Sequence, residues 1–109
     1  MTDAQDFETA LARWLAQAQA IVNDAWTAAN YTHAAPPLLT LQRGVKNIKV
    51  VRTDDNGNRE GSRSVHCFID IATGDVLKAA GWKAPAKHAR GSIYDPARPG
   101  VTQYGGIYL

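Results

Sequence analysis

The hydrophobic pattern changes its period at Pro36-Pro37, and this change constrains the fold more than any other feature of the sequence. Before the prolines, Phe7, Leu11, Leu15, Ala18, Val22 and Trp26 recur at spacings of three and four, with Trp14, Ile21, Ala25 and Ala29 widening the stripe. Glu8, Arg13, Gln17 and Asp24 avoid its centre, as expected of one amphipathic helix with a single face in a core. Thr2 and Gln5 match a capping box, and acids crowd the next turn, where the helix dipole favours them. The helix is therefore predicted to start here and to end near Asn30. Trp14 and Trp26 fall near one face of it, which reads as core packing. The prolines cannot continue a helix, so Tyr31 to Pro37 is a connection.

Beyond the prolines the period moves towards two and β-branched and aromatic residues take over, predicting strands at Leu38 to Gln42, Lys46 to Thr53 and Ser62 to Ile71. Asn56-Gly57 suits a two-residue hairpin turn, a register that sets Val50 opposite Arg63 and Ile48 opposite Val65. Thr73-Gly74 separates a further strand at Val76 to Lys78. The fold class expected is α+β in one domain spanning residues 1–109: a long N-terminal helix packed on an antiparallel β-meander. Ala84 to Ala89, with Pro85 near the first helical position, reads as a short basic helical turn, and Gly100 onward as loop plus an extended C-terminus at Gly106 to Leu109.

Several function classes find no support. Arg13, Gln17, Gln19, Asn23 and Asp24 interrupt every apolar stretch well short of the roughly 20 residues that cross a bilayer. The first residues are polar and acidic, unlike a secretory signal, and the lone Cys67 has no disulfide partner, so a cytosolic location is expected. The acids offer no i, i+3 or i, i+4 pairing with a histidine that would form a metal face, and Asp54-Asp55 belongs to a hairpin turn; no metal and no cofactor are expected. The phosphate-loop, dinucleotide, hydrolase-elbow and zincin motifs are absent. His33 lies in the proline connection. His66 and Cys67, adjacent on a strand, should point to opposite faces, which argues against a nucleophilic pair and leaves Cys67 a small buried hydrophobe. No catalytic residue is assigned, and the chain is not expected to be an enzyme.

Charge is divided along the chain. Met1 to Gln42 holds one Arg against four acids, whereas Arg43 to Leu109 holds eleven basic residues against six acidic ones. Such asymmetry suggests an anionic partner. The basic character is densest around Trp82, where Lys78, Lys83, Lys87, His88 and Arg90 stand among small residues ahead of Gly91-Ser92. The lysines and the Arg90 guanidinium could neutralise phosphates, the Trp82 indole could stack a base, and backbone N–H groups at Gly91-Ser92 could complete a cradle. The plainer reading makes Trp82 a core residue with a solvated rim of lysines.

The run CFIDIATGDVLKAAGWKAPAKHARGSIYD from Cys67 to Asp95, with the closing VTQYGGIYL, resembles a family of small phage-encoded proteins of unassigned function. The matching features fall on Phe68 to Asp70, Thr73 to Asp75, Lys78, Trp82 to Lys87, Ala89 to Gly91 and Tyr104-Gly105; the N-terminal helix lies outside them. The resemblance implies a phage origin and the cytoplasm of an infected bacterium, without an activity. The first functional expectation is a non-enzymatic binder of a small phosphorylated ligand, a nucleotide, which would sequester a signal of bacterial immunity. The second is a nucleic-acid-binding accessory protein, for which Arg43, Lys46, Lys49, Arg52, Arg59 and Arg63 would broaden the basic face. The third is an inhibitor that binds a host protein through exposed parts of the helix. A homodimer that hides a sheet edge or a helix face suits a fold of this size.

Overall fold

The computed structural model describes residues 3–29, 35–54 and 63–107. Thr2, Asn30, the Tyr31 to Ala34 part of the connection with His33, the Asn56-Gly57 turn, Arg59 and the last two residues lie outside them, as does the side chain of Gln5.

Helix α1 runs from Asp3 to Ala28 and buries Phe7, Leu11, Trp14, Ala18 and Val22, the centre of the predicted stripe. Trp26 is half-buried near its end. Neighbouring residues of the helix hold the 93–99 segment. The Trp14 indole N–H donates to the Pro99 carbonyl at 2.9 Å, the Gln17 amide donates to the Pro96 carbonyl at 2.8 Å, and the Arg13 guanidinium donates to the Ile93 carbonyl.

Five antiparallel strands follow in sequential order: β1 Leu38–Arg43, β2 Asn47–Thr53, β3 Arg63–Asp70, β4 Asp75–Ala79 and β5 Pro85–Ser92. The helix covers one face, where Leu39, Ile48, Val50, Cys67, Ile69 and Val76 join its apolar stripe. A small ribbon, β6 Val101–Thr102 and β7 Gly105–Gly106, lies beside the helix over β3 and β4. Among the described residues no helix is long and apolar enough to cross a membrane.

Two expectations are corrected. Val50 pairs with Cys67 and Ile48 with Ile69, rather than with Arg63 and Val65. The two-residue-turn register would have put Arg63 opposite Val50, in the column that faces the helix. Burial selects the register that pairs apolar residues there. In the Ala84 to Ala89 segment, Pro85 to Ala89 belong to strand β5 and form no helical turn. Six residues form too short a helix to stand without packing, whereas β4 offers an open row of backbone groups for β5 to pair with. The pairing is irregular: Leu77 faces Ala89 but Ala79 faces Pro85, and His88 takes a positive φ of 71° within the resulting bulge.

The β3–β4 turn forms as the Thr73-Gly74 signal suggests. The Asp70 carboxylate accepts from the N–H of Ala72 at 2.9 Å, and Gly74, at φ +77°, donates to the Asp70 carbonyl at 2.7 Å.

Candidate functional site

The structure distributes the basic segment over several places. Arg90 turns inward: its guanidinium donates to the carbonyls of Ile107 at 2.8 Å, Lys87 at 2.7 Å and His88 at 2.5 Å, which ties the β5 bulge to the C-terminal chain. Gly91 is buried beneath the 98–100 segment, so close that a Cβ would stand 2.5 Å from the Gly100 nitrogen. The Ser92 N–H donates to Arg98 O and the Ser92 hydroxyl accepts from Tyr94 N–H; the hollow these residues line also contains Asp75 and Asp95. Lys87 and His88 are exposed on the β5 edge. Lys78 points to the helix side, and Trp82 and Lys83 belong to the opposite face. The eight residues expected to form one site therefore do not converge.

A different cluster forms on the sheet face away from the helix. Cross-strand partners share a face, so the column Gln42, Lys49, Phe68 and Leu77 faces away from the helix side. The β4–β5 connection lays Trp82 against this face. The Lys49 ammonium sits 4.1 Å from the indole centroid and the Arg63 guanidinium 5.9 Å, both within cation–π range. Trp82 keeps 44% of its surface exposed, so it is neither a core residue nor fully covered by the cations. Next to it, Lys46, Lys49 and Lys83 line a cleft of about 320 Å³ with Phe68 and the β1–β2 turn. Arg43 also borders the cleft, but its charge is used: it forks onto Glu8 at 2.6 and 3.0 Å and holds that carboxyl below the usual range. Among the described residues no carboxylate lies within ion-pair distance of Lys46, Lys49, Arg63 or Lys83. The face is thus cationic and open, and it carries a flat aromatic surface.

On the helix side, a β-bulge between Val50 and Val51 makes His66 the extra residue of β3. The bulge overturns the opposite-facing expectation for His66 and Cys67, because both now lie on the helix side of the sheet. They still do not make a nucleophilic pair: Cys67 is completely buried, and burial alone pushes its thiol far above the ordinary range. His66 is 2% exposed, and neither ring nitrogen has a hydrogen-bond partner among the described residues. Burial, helped by the Arg52 charge, lowers its pKa from 6.5 to about 4, and the Thr102 backbone opposes this as the smallest of the three influences. An orphaned buried donor or acceptor costs about 1–3 kcal/mol, so this ring is an uncompensated feature of the fold. Among the described residues no group of His, Cys, Asp and Glu side chains is arranged to hold a metal ion.

A family model matches residues 2–108, nearly the whole chain. The chain belongs to DUF7717, a family of unknown function. No curated protein and no solved structure matches it. In this DUF7717 protein the β2–β3 hairpin supplies Lys49 and Arg63 to the aromatic cluster, while Arg52 is diverted to the Asp54 carboxylate and the Gln103 carbonyl. Strand alternation sets Lys49 on the face away from its neighbour Val50. That Trp82 reaches this face depends on the course of the β4–β5 connection, for which no local sequence signal exists.

Proposed function

We propose that this protein is a non-enzymatic binder of phosphorylated ligands and that the open sheet face around Trp82 is its binding surface. The observation behind this reading is the grouping of Lys49 and Arg63 over one half-exposed indole with Lys46 and Lys83 in the adjoining cleft, where among the described residues no carboxylate lies within ion-pair distance of them. Cations neutralise phosphates at such a surface and an indole stacks on a base, the two parts of single-strand recognition. The openness of the face favours a nucleotide chain tracking across it, the second of the readings drawn from sequence.

The first of those readings, a small nucleotide, is favoured by the cleft beside Lys83, whose volume of about 320 Å³ is at the lower end for ligand pockets. The resemblance to phage-encoded proteins supports placing either ligand in an infected bacterial cytoplasm, where holding a nucleotide would sequester an immune signal.

Salt dependence separates the two ligands. Four phosphate contacts give a single-strand slope of about −3 in log affinity against log salt, so a labelled oligonucleotide followed by fluorescence anisotropy should bind roughly 50-fold more weakly at about 200 mM salt than at about 50 mM. A mononucleotide bound tightly with little salt dependence would select the cleft. A double Lys49→Glu, Lys83→Glu variant that folds and binds both ligands unchanged would refute the proposed surface.

A further inference from the structure

The cations of the open face are not evenly spread. Arg63 stands over the indole and lies outside the adjoining cleft, whereas Lys46 from the β1–β2 turn, Lys49 from β2 and Lys83 from the β4–β5 connection all line it. Gln42 and Asn47 line the same cleft: Gln42 is the cross-strand partner of Lys49, and Asn47 stands two residues before Lys49 on β2, so both belong to the open face. Among the described residues no carboxylate lines the cleft, and Glu8, the acid held by the bordering Arg43, is engaged by both guanidinium nitrogens.

We propose, building on the reading of this face as a surface for phosphorylated ligands, that the cleft is a subsite for a terminal phosphomonoester: the phosphorylated end of a nucleotide strand or of a single nucleotide. Charge matching carries the inference. A phosphodiester within a strand carries a single charge, for which one cation such as Arg63 suffices. A phosphomonoester carries about −1.5 to −2 near neutral pH and offers three strong acceptor oxygens. Three ammonium groups that only donate, with two side-chain amides able to donate beside them, form the donor-rich wall that such a group requires. The position agrees with this. Lys83 follows Trp82 directly in the chain, so a phosphate held in the cleft leaves the base attached to it beside the exposed indole.

The test measures the full chain against matched single-stranded oligonucleotides that carry a 5′-phosphate, a 3′-phosphate or hydroxyls at both ends, by fluorescence anisotropy at about 50 mM salt. One phosphorylated end should bind about tenfold tighter than the hydroxyl-ended strand, the gain expected of one further charge-assisted contact. The double variant Lys46→Gln, Lys83→Gln, at two exposed positions and checked for folding by thermal unfolding, should bring that ratio close to one. Competition by a nucleoside monophosphate, but not by the nucleoside, would assign the subsite to the phosphate alone, whereas competition by neither would tie it to the end of a strand. Equal affinity for all three ends, or a preference that survives in the double variant, would overturn the subsite while leaving the wider surface standing. Failure of every oligonucleotide to bind would remove both.

Discussion

At the scale of single residues, His66 shows how one extra position changes the chemistry of a strand. Sequence alternation assigns His66 and Cys67 to opposite faces, and only the bulge beside Val50 places both on the helix side. The bulge leaves no mark in the hydrophobic pattern, so the burial of His66 was not legible. Its consequence is measurable. Because the folded pKa lies below the unfolded value, the unfolded chain binds the proton first as pH falls from 6.5 towards about 4. Stability contributed by the neutral ring is therefore complete near neutral pH and is lost across that window, by up to about 3 kcal/mol. Urea denaturation at about pH 7 and pH 4.5 should show this loss, and His66→Leu should remove most of the difference. An unchanged difference in the variant would assign the loss to carboxylates instead. Trp82 is the opposite case: aromatic residues are usually core, yet its exposure makes Trp82→Ala a usable binding test. The substitution should weaken single-strand binding by about 1–3 kcal/mol per stacked base. Its thermal unfolding should stay close to the parent's.

At the scale of elements, period together with capping and turn signals located α1 and the first four strands to within a few residues, because each has a face committed to one core. Strand β5 was missed for a physical reason. Ala, Lys and a leading Pro favour a helical turn locally, whereas pairing with β4 is a long-range interaction that composition does not display. The same strand reassigns Arg90. The sequence suggested a phosphate ligand, but the guanidinium holds the carbonyls of Ile107, Lys87 and His88. Arg90→Ala should therefore destabilise the fold by about 1.5–3 kcal/mol and leave oligonucleotide affinity, measured under folded conditions, unaltered. A stable variant with weakened binding would restore Arg90 to the site. Gly91→Ala tests the packing of the neighbouring crossing. With the Gly100 nitrogen 2.5 Å from the added Cβ and Arg98 O closer still, the 98–100 segment has to move, at a cost of about 1–3 kcal/mol by chemical denaturation.

At the scale of the whole molecule, the division of charge along the chain was legible from the start, but its geometry was not. The basic residues fall in the second part of the sequence, and the sheet then sorts them by face: Lys49 and Arg63 to the open side, Lys78 towards the helix side, Arg90 into the β5–C-terminal junction. Lys83, remote from Lys46 and Lys49 in sequence, shares a cleft with both. A site that depends on such sorting cannot be read from a contiguous basic run, which is why the candidate residues of the 78–92 segment overlap the final cluster only at Trp82 and Lys83. The central claim is that the open face binds phosphorylated ligands. Its most direct test is an NMR titration of the labelled protein with a short single-stranded oligonucleotide, following the Trp82 indole N–H and the backbone amides. The account predicts saturable shifts at Trp82 and at Lys46, Lys49, Arg63 and Lys83. Shifts confined to Lys87 through Ser92, or none at all at an oligonucleotide excess in low salt, would contradict it.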